Sequence, residues 1–151
     1  MSFLDDMKNK AKNAWGNLET EAKKFMNDKF KNGACAACAL VAAADGKIDD
    51  EEIEAFLEFV LSSSLKVFPV DQIDTTFRDF AGKLNGPKRV VEQAALLQMI
   101  MSLKGKPEAM LVVGVAIEVA KMGGISDKEK AVLIKICTAA GVDPSLFDEL
   151  K

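Results

Sequence analysis

Apolar residues recur at three- and four-residue spacing along almost the whole of this chain, and no stretch alternates as a half-buried strand would. One run constrains the fold further. Residues 34–44 read ACAACALVAAA, nearly all apolar and small, so a helix there is buried and lets its neighbours come close. The expectation is an all-α protein, a single compact bundle of about seven helices filling residues 1–151 as one domain. Helices are expected at 3–30, 34–44, 50–62, 71–84, 87–103, 108–121 and 127–140, with a short last turn from Asp143-Pro144 to Leu150. The stops between them are Asn32-Gly33, Phe68-Pro69, Asn85-Gly86-Pro87 and Gly105-Lys106-Pro107. Residues 1–31 are expected to form a lysine-rich amphipathic helix outside a core of 34–150. The 108–121 helix is apolar nearly all round and belongs beside 34–44 at the centre.

Composition narrows the function. A chain of 151 residues buries enough surface to fold without staples, and its 49% hydrophobic and 28% charged residues are globular proportions. The net charge of −3 argues against nucleic acid as a partner. Histidine is absent, which removes the commonest general base and the commonest transition-metal ligand. Cys35, Cys38 and Cys137 are an odd number of cysteines, and the start of the chain lacks the apolar run of a secretory signal; a reducing cytoplasm is expected. No apolar run approaches the ~20 residues of a membrane span. A monomer is expected.

One internal repeat carries the functional signal. Asp45-Gly46-Lys47-Ile48-Asp49-Asp50-Glu51-Glu52 lines up with Met122-Gly123-Gly124-Ile125-Ser126-Asp127-Lys128-Glu129, and each copy sits between an apolar and an amphipathic helix. Two pseudo-symmetric helical hairpins are expected. Helix punctuation explains part of the pattern. Gly46 and Gly123 suit a left-handed position after a helix, while Asp49 and Ser126 are N-caps whose boxes Glu52 and Glu129 complete. Ile48 and Ile53 would form a hydrophobic staple. Punctuation leaves the charge density unexplained: residues 45–58 hold seven acids and one lysine. D-G-x-I-x-x-x-E also matches the back half of an EF-hand loop, but Val41 and Ala43 stand where its first ligands would be. What remains is a cluster of oxygen ligands for a hard ion, Ca²⁺ or Mg²⁺, drawn from Asp45, Asp49 and Glu52, with Asp127 and Glu129 contributing if the two loops meet.

With ADGKIDDEE followed by GGISDKE in an all-helical chain, the sequence resembles the TerB family of bacterial tellurite-resistance proteins over roughly residues 20–150. The resemblance implies a place in a tellurium-resistance and stress-response system. It further implies a cytoplasmic module peripheral to the inner membrane, with the membrane protein TerC and calcium-binding TerD-type proteins as partners. It implies metal binding at the acidic loop positions Asp45, Glu52 and Glu129. The second loop departs from the family pattern, with Met122 where aspartate is usual.

Two further features bear on the choice of function. Cys35-Ala-Ala-Cys38 admits a thiol-dependent reductase acting on tellurite, yet a helix of alanines buries both sulfurs, and buried thiols are inert. Lys83, Lys88, Arg89, Lys104 and Lys106, offset by Glu92, make a basic face opposite in sign to the loop, suited to an acidic protein or phospholipid surface. The expected function is a non-enzymatic, divalent-metal-binding interaction module; the alternative is the redox enzyme using Cys35 and Cys38.

Overall fold

The structure, a computed structural model, describes residues 27–62, 68–122 and 124–150. Asn27 starts the first described helix by accepting the Phe30 N–H at 2.8 Å. Helix α1 then runs Asp28–Ala42, followed by α2 at Asp50–Ser62, α3 at Val70–Leu84, α4 at Arg89–Met101, α5 at Pro107–Lys121 and α6 at Asp127–Ala140. Two single 3₁₀ turns, Pro144–Leu146 and Asp148–Leu150, close the chain. The described residues are all-helical, as the spacing predicts, with six α-helices rather than seven. The expected helix at 3–30 lies outside the described residues except at its end.

Its expected stop is overturned. Asn32-Gly33 does not interrupt the chain: α1 passes straight through it. Gly33 is a packing residue, because a Cβ there would stand 2.7 Å from Leu103 Cδ1. Glycine costs about 1 kcal/mol in a helix, and the close approach of the α4–α5 corner outweighs it.

The small residues of α1 do what their size allows. Ala36, Ala37, Cys38 and Ala39 are fully buried, and α1 packs most extensively on α5, then on α4 and α3. Helix α5 is buried nearly all round, with Val112, Val113, Val115 and Ala116 fully enclosed. These two helices form the centre. Among the described residues no helix is long and apolar enough to cross a membrane.

The repeat governs the helix starts. Helices α2 and α6 begin at Asp50 and Asp127, equivalent positions of the two copies. The packing of the copies then differs. Helix α6 lies directly on α5, whereas α2 packs mainly on α3, where Phe56 stacks on Phe77 with centroids 4.1 Å apart. Leaning α2 toward α3 opens a gap between α2 and the central pair.

Candidate functional site

Both expected caps are present at the gap. Asp49 Oδ1 accepts the Glu52 N–H at 2.8 Å, and Ile48 and Ile53 on either side of that cap are buried. Ser126 makes a complete capping box: its Oγ accepts the Glu129 N–H at 3.1 Å, while its own N–H donates to Glu129 Oε1 at 3.0 Å. Gly46, at φ 141°, turns the first loop, and Gly124 of the second stands at φ 81°. Gly123 lies outside the described residues.

The two loops meet. Ser126 Oγ lies 3.2 and 3.3 Å from the two carboxylate oxygens of Asp45 and donates to them. A cavity of about 400 Å³ opens beside this joint. Asp45, Glu52 and Glu129 line it, above an apolar floor that includes Val41, Phe56, Phe77, Val119 and Ala120. Three of the five expected ligands therefore line one cavity. Asp49 is engaged as a cap, and Asp127 is an exposed first-turn residue of α6 that does not line the cavity. Among the described residues no three carboxylates or thiols stand close enough together to cage a metal ion.

Burial raises the Glu52 carboxyl above its ordinary range; the Asp49 N–H pulls it down, and the charges of Asp49 and Asp45 push it further up. The donor set is all oxygen, which matches a hard divalent ion that keeps part of its water. Such an ion would relieve the repulsion between these carboxylates.

A brace behind the loop was not legible in the sequence. Asn85, just past α3, donates from Nδ2 to Ile48 O at 2.9 Å and accepts the Ile48 N–H at 2.8 Å. Arg89 donates to the carbonyls of Ala43 and, at 3.3 Å, Gly46. The guanidinium counted with the basic face thus turns inward and holds the acidic loop. Asn85 reads locally as helix punctuation, so only its distance from Ile48 in the chain hid the contact.

The thiols lie elsewhere. Cys35, Cys38 and Cys137 are buried and unpaired. Burial pushes Cys35 and Cys137 up to about 12 and Cys38 well above its ordinary value, so all three stay protonated at neutral pH.

The family model described as tellurite resistance protein TerB matches residues 31–151. The chain is similar to the Tellurium resistance protein TerB of Alcaligenes sp., 28% identical over 110 residues that cover 72% of this chain and 89% of that protein. No solved structure gives a significant match. A match over both loops and every described helix but the first turn of α1 places this chain in the TerB family of tellurite-resistance proteins.

Proposed function

We propose that this chain is a non-enzymatic interaction module of tellurite resistance whose working site is the cavity walled by Asp45, Glu52 and Glu129. The observation that carries the reading is the joint between the loops: Ser126 Oγ, from the second loop, donates to Asp45 of the first beside the cavity. Two acidic loops 77 residues apart thereby face one space. A Ca²⁺ or Mg²⁺ ion there would take at most two of Asp45, Glu52 and Glu129 directly and reach the third through its own water, which supplies the rest of the shell. Occupancy would tie α2 to α6 and present one defined face to partners. TerC and the TerD-type proteins are the partners the resemblance implies, at the cytoplasmic face of the inner membrane. Protonated, buried thiols supply no nucleophile, which favours a binding role over catalysis.

The test is an NMR titration of the protein with Ca²⁺, Mg²⁺ and tellurite, followed on assigned amides. The expected result is a saturable shift of residues 45–52 and 124–129 with one of the cations. No shift at millimolar cation would leave the acids as helix caps and a charged surface. Shifts around Cys35 and Cys38 with tellurite would favour the redox alternative.

A further inference from the structure

We propose that the groove between α4 and α6 is a docking site for a short acidic segment of a partner protein that inserts one apolar side chain. A separate cavity of about 110 Å³ lies there, remote in composition from the acidic one. Its walls include Leu40, Ala44, Leu97 and Val132, so its interior is aliphatic. Its polar lining is Arg89, Gln93 and Lys135, which carries positive charge and no acid. Arg89 spends its donors on the carbonyls of Ala43 and Gly46, so its charge is fixed in place without a carboxylate.

The surface beside the groove is apolar as well. Val90 is 78% exposed and Met101 48%, and helical spacing sets both on the side of α4 that carries Gln93 and Leu97. Exposed apolar residues bordering a concave site mark an interaction surface more often than chance scatter does. Charge complementarity selects an acidic occupant. Shape selects a protein segment over a lipid surface. The site is a pit about one side chain wide between two helices, whereas a helix that lies on a bilayer offers a broad face with aromatic anchors, and no aromatic residue lines this one. The site stands apart from the cation reading and does not depend on it.

The probe is a hexapeptide with a Leu-Phe pair flanked on each side by two glutamates, with a lysine-flanked peptide as control, added to the full chain and followed by NMR. The glutamate peptide should shift the amides of residues 89–97 and 132–135, and the lysine peptide should not. Lys135→Glu, at an exposed position, and Gln93→Glu, at a half-buried one, should each weaken binding by roughly three- to tenfold. Equal binding of both peptides, or indifference to both substitutions, would overturn the proposal. So would shifts of these amides with anionic phosphatidylglycerol vesicles while the peptide gives none, or shifts that grow with protein concentration alone.

Discussion

Two opposing demands meet at Glu52. As the third residue of α2 it favours the positive end of the helix dipole and takes the Asp49 N–H, yet burial and the neighbouring charges of Asp49 and Asp45 raise its pKa. The sign follows from linkage. A carboxyl with a raised folded pKa holds its proton more tightly in the native state, so its ionised form costs stability above that pKa, and the cost fades as pH falls through it. Glu52→Gln should therefore melt no lower than the parent near pH 7, with the difference closing by about pH 4, where the unfolded carboxyl also takes its proton. Calorimetry at the two pH values checks this, and a clearly lower melting point at neutral pH would show that the cap outweighs the repulsion. The thiols give a second prediction at this scale. Labelling of Cys35 and Cys38 should be slow at neutral pH, and Cys38→Ser should cost about 1–3 kcal/mol through an unpaired buried hydroxyl, read by urea unfolding. Loss of tellurite resistance in a folded Cys35→Ala, Cys38→Ala double variant would instead restore the redox reading.

At the scale of elements, local signals and distant ones separate cleanly. The starts of α2 and α6 are legible because a cap and its box lie within four residues of chain. The misplaced stop at Gly33 has the opposite cause: its partner is Leu103, which no local pattern connects to it. The same holds for the cavity, which exists because α2 leans on α3 through the Phe56–Phe77 stack rather than closing on α1. Asp45 and Glu52 were readable from charge density and Glu129 from the repeat, while Ser126 as a bridge and Asn85 as a brace needed the fold. The Asn85 brace makes its own prediction. Asn85→Ala leaves the N–H and carbonyl of the buried Ile48 without their partner, so stability should fall by about 1–3 kcal/mol. Hydrogen exchange should quicken first at residue 48. Unchanged exchange there would mean that Arg89 alone holds the loop.

On the whole molecule the joint between Asp45 and Ser126 connects positions 81 residues apart, so a ligand bound beside it acts on the global unfolding equilibrium. An ion that binds only the folded chain adds about 1.4 kcal/mol at ten times its Kd, and that is about 3–6 °C in a domain of this size. Repulsion among seven acids in residues 45–58 is also relieved by simple screening, which a Debye length of about 8 Å near physiological salt already provides. Matched ionic strength in KCl therefore serves as the control. The capping and cation readings then diverge at one residue. Asp45 lies four positions before the Asp49 cap, so Asp45→Ala leaves the start of α2 intact while removing one wall of the cavity. Ser126→Ala keeps all three carboxylates but removes the α6 cap, at a cost of about 1 kcal/mol, together with the hydroxyl that holds Asp45. The expected outcome is that Asp45→Ala loses the calcium- or magnesium-dependent rise in melting temperature, while Ser126→Ala melts lower and keeps a reduced rise, because its carboxylates remain but Asp45 is no longer held. Equal rises in all three proteins, or a rise reproduced by KCl, would show that the acids act only as a screened charge cluster.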